Sequence, residues 1–273
     1  MKAKEIREYL LGQAPWVDQT DTVDTFKAGD PEREVYRVGV GWMATMANLR
    51  AAHALGCELF ITHEPTFWEH AAPETFYRSR EPGLTKARWL AEAGLVVLRA
   101  HDSWDRWPEL GIRDSWARGL GLTEFLGEDK ERWHAVYAIE PTTLEAFARQ
   151  IAERLRPLGE DSVRVMGNPA RIVSRPAVGV GCVGPDADMV ALGADVLIVC
   201  YDGAAYWSTR ERLVELGAAL IIVEHGTTEM WGMESLAIHL RQRFPALEVH
   251  YLDHHDRPWT CRPRDPSPPA SLH

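Results

Sequence analysis

Three apolar segments of this 273-residue chain each run into a histidine with a carboxylate close behind it. They read CELFITHEP (57–65), GLVVLRAHDSWD (94–105) and AALIIVEHGTTE (218–229). The pairs are His63 with Glu64, His101 with Asp105, and His225 with Glu229. Imidazole and carboxylate together suit divalent transition metals, and this many carboxylates point to two ions rather than one. Each apolar segment reads as a strand. In an open parallel α/β sheet, ligands lie outside the carboxyl ends of strands, so the three pairs are expected to converge on one spot. His225 and Glu229, four apart at a strand-to-helix junction, can face one point from the first helical turn. His63 and Glu64 are adjacent and normally point apart, which lets them flank two ions on either side of the chain. Pro65 biases Glu64 away from helix. One histidine after a strand is more often a core or capping residue; three with the same companion argue for a site.

The elements that must position these residues follow from periodicity and turn signals. Residues 1–12 read as a short helix and 16–30 as a polar loop. VYRVGVGW (35–42) reads as a strand, and TMANLRAAHALG (45–56) as an amphipathic helix closed by Gly56. CELFIT is a buried strand, TKARWLAEAG (85–94) a helix, LVVLRA a strand, and DSWARGLGL (114–122) a short helix. This β-α-β-α-β order predicts a parallel sheet. The middle of the chain repeats the α/β theme, with strands in 133–141 and 195–200 and helices in 144–155 and 208–217. A long helix over 227–244 and a last strand over 247–252 return the chain, and the Pro-rich tail from 256 to 273 reads as irregular. The expected fold class is α/β, with two related subdomains of mostly parallel sheets flanked by helices.

ITHEPTFW, AHDSWD and EHGTTE resemble the three signatures of the NIF-three-like family of dinuclear-metal proteins. Some of its members are named as homologues of a type-two GTP cyclohydrolase I. The family pattern is His-His-Pro after one strand, His-x-x-x-Asp after the next, and His-x-x-x-Glu near the C-terminus. The resemblance implies that His63, Glu64, Asp105, His225 and Glu229 are metal ligands, with Glu229 bridging. It places His101 in the cleft as a candidate proton shuttle. Glu64 departs from the pattern, which has a second histidine there; a carboxylate can still bind metal, but the identity of the ion, among Zn, Mn, Fe and Mg, is left open. The resemblance also implies one subdomain from 1–130 with 226–255, an inserted subdomain from 131–225, and a homohexameric ring. The expected function is metal-dependent hydrolysis of a small, heterocyclic substrate. The alternative is a non-catalytic metal-binding or regulatory ring.

Other features bound the reading. The formal net charge of −10 argues against binding to a phosphate backbone, so no nucleic-acid partner is expected. No apolar run approaches the ~20 residues of a membrane span, and no signal-peptide core opens the chain, so a cytoplasmic protein is expected. The scattered Cys57, Cys182, Cys200 and Cys261 read as reduced, mostly buried thiols. GVGCVG (179–184), with Asp202 beyond the next strand, matches a dinucleotide fingerprint. The favoured reading is a tight turn that lets two backbone segments approach closely. Trp68, Trp104, Trp107 and Trp231 stand near the motifs, either as an aromatic wall for a planar substrate or as core. His254 and His255 are expected at a solvated chain end.

Overall fold

The computed structural model describes residues 1–70, 75–181, 187–254 and 258–261. The first part of the chain contains α1 (Ala3–Gly12), β1 (Phe26–Ala28), β2 (Arg37–Gly41), α2 (Met46–Ala54), β3 (Leu59–Thr62), α3 (Gly83–Ala93), β4 (Val96–Arg99), α4 (Asp102–Asp105) and α5 (Ile112–Gly119). The middle contains β5 (Glu124–Glu128), β6 (His134–Ala138), β7 (Thr142–Thr143), α6 (Leu144–Leu155), β8 (Arg164–Met166), β9 (Ile172–Val173), β10 (Pro176–Gly179), α7 (Ala187–Ala191), β11 (Val196–Cys200), α8 (Tyr201–Ala204), α9 (Trp207–Glu215) and β12 (Ala219–Val223). Last come α10 (His225–Arg243) and β13 (Glu248–Tyr251).

These strands form two sheets and a small ribbon. The first sheet has the order β1-β4-β3-β2-β13, parallel except for the antiparallel edge strand β1. All of β3 and β4 is buried, as expected of continuous apolar runs in a sheet covered on both faces. The second sheet has the order β5-β6-β10-β11-β12-β8. Only β10, β11 and β12 run parallel; β5, β6 and β8 add antiparallel pairings. The second sheet is therefore mixed rather than mostly parallel, because β5 and β6 follow one another as a hairpin with no crossover helix between them. Strand β5 lies before residue 130, so a division there would separate two hydrogen-bonded strands. Strand β1 falls within the segment that reads as loop, because three residues give too short a pattern to show alternation.

Local signals account for several boundaries. Thr45 caps α2 by accepting a hydrogen bond from Asn48 N at 3.1 Å, and Thr143 caps α6 through Ala146 N at 3.2 Å. Each sheet has its own core, and α10 joins them. Met233, Leu236, Ala237 and Leu240 repeat at helical spacing and pack into the first core. Trp231, near the start of the same helix, packs on Trp116 of the second core. Helices α5 and α10 approach closely because Gly119 has no side chain: a Cβ there would lie 2.0 Å from the Trp231 ring. Gly119→Ala should therefore destabilise the protein by roughly 1–3 kcal/mol in urea unfolding. Stability equal to the parent would show that Trp231 can move aside freely.

Candidate metal centre

The three histidine motifs come from both sheets. His63 and Glu64 directly follow β3, and His101 lies two residues beyond β4, both in the first sheet. His225 opens α10 two residues beyond β12, a strand of the second sheet. Trp42 follows β2, Gly181 lies just past β10, and Asp202 lies just past β11. The site is thus the crevice where the carboxyl ends of two sheets meet, with α10 crossing it.

His63 is fully buried, and its Nδ1 lies 3.1 Å from the Ala100 carbonyl. A carbonyl only accepts, so Nδ1 carries a hydrogen and Nε2 is the nitrogen left facing the cluster. That Nε2 lies 3.3 Å from Asp105 Oδ1 and 3.6 Å from Glu229 Oε1. Among the described residues, neither His63 Nε2 nor Asp105 Oδ1 has a hydrogen-bond partner. On the other side, His225 donates from Nδ1 to Asp202 Oδ2 at 2.7 Å. Its Nε2 is 3.0 Å from Glu229 Oε1 and 3.3 Å from Glu64 Oε1. An imidazole oriented by a carboxylate or carbonyl on its far nitrogen is the usual arrangement of a metal-binding histidine.

Glu229 is the shared member. Trp42 Nε1 donates to its Oε2 at 2.6 Å, leaving Oε1 toward both histidines. Trp42 also accepts, through its carbonyl, from the backbone N–H groups of His63 and Glu64. Gly181 closes the same side: a Cβ there would lie 2.0 Å from Glu229 Oε1 and 3.3 Å from His225 Nε2. The start of the Gly-rich segment is therefore a close backbone approach at the carboxylate; residues 182–186, with Cys182, lie outside the described residues.

His101 stacks on His63 with ring centroids 4.5 Å apart. Its Nδ1 is 2.9 Å from Asp102 Oδ1 and 3.3 Å from Asp105 Oδ2. The whole turn is held by Asp24, from the segment that reads as polar loop. The buried Asp24 carboxylate accepts from the backbone N–H groups of His101, Asp102 and Ser103 at 2.7, 2.8 and 2.9 Å. Nothing in the sequence marks Asp24, and Asp202 stands out only as part of the dinucleotide fingerprint and not as the partner of His225, because each acts on a segment about twenty residues or more away.

Electrostatics follow from this burial. Water exclusion disfavours a charged His63, but Glu229 and then Asp105 outweigh it and hold the ring well above the ordinary histidine range. For His225 burial again opposes charge, yet Glu229, Glu64 and Asp202 push it up to about 10. Burial would raise Glu229; His225 and His63 instead hold it well below the usual carboxylate range. Glu64 is pushed up by burial and by Glu229. Three carboxylates and two inward-facing imidazole nitrogens thus meet at one place and call for positive charge between them. Protons can supply it, and so can divalent ions. The sets Glu64–His225–Glu229, His63–Glu64–His101, His101–Asp102–Asp105 and Cys200–Asp202–His225 each bring their ligand atoms within 4.8 Å of one another. The donor set fits divalent metal.

A cleft of about 370 Å³ opens beside the cluster, lined by Trp42, Met43, Met230, Glu64, Asp202 and His225 among others. The tryptophans near the motifs do not line it. Trp104 is buried and donates to the Gly232 carbonyl, Trp107 packs against Tyr9 and His239, and Trp231 packs on Trp116. Trp68 is 38% exposed beneath Lys86. Trp42, which the sequence does not single out, supplies the aromatic surface. His254 is not solvated; it is buried against Trp42 with centroids 4.8 Å apart, while His255 lies outside the described residues. Cys57 and Cys200 are buried free thiols and Cys261 is an exposed one. Among the described residues, no helix is long and apolar enough to cross a membrane.

Residues 1–258 match the profile of Duf34/NIF3, NGG1p interacting factor 3. The chain belongs to the Duf34/NIF3 family. Among its relatives is a protein of Allochromatium vinosum named GTP cyclohydrolase 1 type 2 homolog. It is 28% identical over 218 residues, covering 78% of this chain and 81% of the relative. A Deinococcus radiodurans protein of the same name is 24% identical over 212 residues, covering 77% and 78%. The fold matches a hypothetical protein of Staphylococcus aureus with a TM-score of 0.78 at 20% identity, over 96% of this chain and 99% of that one. A Bacillus cereus protein related to NIF3 gives 0.77 at 14% identity, with the same coverage. These structural likenesses establish the α/β fold of the family.

Two outcomes test the geometry. Asp24→Ala leaves three backbone donors without their acceptor and should cost about 2–4 kcal/mol in urea unfolding; a loss below ~0.5 kcal/mol would show that water replaces the carboxylate. Gly181→Ala should weaken divalent-ion uptake roughly tenfold or more, by displacing Glu229. Equilibrium dialysis against manganese checks this, and uptake equal to the parent would show that the loop yields instead.

Proposed function

We propose that this chain holds two divalent metal ions with His63, Glu64, Asp105, His225 and Glu229, and hydrolyses a small heterocyclic substrate. The observation that carries the reading is the pair of buried, unpartnered atoms, His63 Nε2 and Asp105 Oδ1, facing Glu229 Oε1. When bound, a pair of divalent ions supplies Lewis acidity toward water and toward the bond to be cut. The protein's own groups do the rest. Ala100 and Asp202 fix the histidine tautomers, so that both Nε2 atoms face inward. Glu229 Oε1 is the donor that both histidines approach, and this supports its bridging role. His101, with Nδ1 shared between Asp102 and Asp105, is placed to carry a proton to or from a substrate. Trp42, Met43 and Met230 offer an apolar seat for a planar ring beside the cluster.

An open cleft beside the ligands favours catalysis over a purely structural role for the ions. The cyclohydrolase name carried by the relatives supports a heterocyclic substrate without identifying it. Glu64, Asp105 and Glu229 are hard oxygen donors, which suits Mn, Fe or Mg as well as Zn. The family resemblance supports a homohexamer as well, which light scattering would register as about six chain masses.

Purified protein never exposed to chelator should carry close to two divalent ions per chain by elemental analysis. Glu229→Ala should remove most of both. One ion or none in the parent would end the dinuclear reading.

A further inference from the structure

Arg99, the last residue of β4, is fully buried. Its donors go to neutral acceptors: Nε to the His63 carbonyl at 2.8 Å, Nη1 to the His70 carbonyl at 2.9 Å, and Nη2 to His70 Nδ1 at 3.1 Å. His70 adds no charge, because burial and then Arg99 itself push it down to about 4. A guanidinium remains charged at any physiological pH, and removing it from water is costly without a counter-ion. Among the described residues, one carboxylate lies within ion-pair distance: Glu64, whose Oε2 is 4.0 Å from Nη2. The other oxygen of Glu64 is the one 3.3 Å from His225 Nε2. Glu64 is therefore shared, with one oxygen toward the cluster and the other toward Arg99. At that separation the link to Arg99 is electrostatic rather than a hydrogen bond, and scarce water leaves it weakly screened.

The geometry points to Arg99 as the built-in counter-charge of the metal cluster, a positioning residue that loosens its hold on divalent ions. This rests on the metal reading above. With neutral histidines, Glu64, Asp105 and Glu229 bring three negative charges to the ions, and Arg99 reduces that to two. A less negative surrounding holds cations less tightly and leaves them more Lewis-acidic. Arg99 also grips the His63 carbonyl, so the same side chain sets both the charge and the position of this corner.

The sign of a substitution separates this role from simple scaffolding. Mn²⁺ and Zn²⁺ affinities would be measured by competition with a fluorescent chelator, on the full chain, for the parent, Arg99→Gln, Arg99→Lys, Glu64→Gln and the Glu64→Gln/Arg99→Gln double variant. Arg99→Gln should bind divalent ions tighter, by roughly tenfold, because a nearby positive charge has gone. Arg99→Lys, which keeps the charge but not the hydrogen-bond pattern, should stay near the parent. Glu64→Gln should bind more weakly, and the double variant should recover toward the parent. Weaker binding by Arg99→Gln, an Arg99→Lys shifted as far from the parent as Arg99→Gln, or a double variant weaker than Glu64→Gln would each overturn the counter-charge role. If Arg99→Gln does not fold, Arg99→Lys and the double variant, which removes both buried charges together, still decide it. A parent protein that takes up no divalent ion would instead overturn the metal reading itself. A parent with two ions and a weaker-binding Arg99→Gln would overturn this inference alone.

Discussion

Glu229 is a carboxylate with almost no access to water, and its Oε1 lies between the Nε2 atoms of His63 and His225, at 3.6 and 3.0 Å. An isolated carboxylate in such a place would give up its charge, because desolvation is expensive. Here the two imidazoles hold it ionised, and it in turn raises both of them. Asp105 and Glu64 add further negative charge around the same point. Such a group is stable only with positive charge among its members, and the architecture keeps those members apart and aimed.

That requirement explains features that look unrelated along the chain. Trp42 occupies the second oxygen of Glu229, so the first faces the histidines. Gly181 leaves room where any side chain would strike that oxygen. Asp24 gathers three backbone donors of the turn that carries His101 and Asp105. Asp202 and the Ala100 carbonyl select the imidazole tautomers. None of these contacts links residues of one sequence motif. The one from Trp42 to Glu229 crosses from the end of β2 in the first sheet to the helix that follows β12 of the second, and α10 packs into both cores at that junction.

Much of this could be read from residue order. Apolar runs leading to His63, His101 and His225 mark the strands that deliver the motifs, and Gly56 and Gly94 mark helix ends at positive φ. The i, i+4 spacing of His225 and Glu229 brings both toward one point once a helix starts there. At Gly181 the start of the GVGCVG segment lies against the Glu229 side chain rather than a second backbone segment, a contact that only the structure shows. The tryptophans mislead, because a large aromatic near a motif in sequence can turn into the core as easily as toward the cleft. Trp104 and Trp231 turn inward, while Trp42, before any motif, faces the site.

By itself the sequence determined the α/β class, the strands that lead to the histidines, the side-chain types of the cluster and the local pairing of His225 with Glu229. These depend on periodicity and on neighbours a few residues apart, which chain geometry enforces. Only the tertiary structure decided that the three motifs come from two sheets, that Asp24, Trp42, Gly181 and Asp202 complete the site, and that Arg99 stands against Glu64. Those relations join residues tens to nearly two hundred positions apart. They arise from burying charged groups where water cannot reach, and no local pattern in the chain encodes which distant group will meet them.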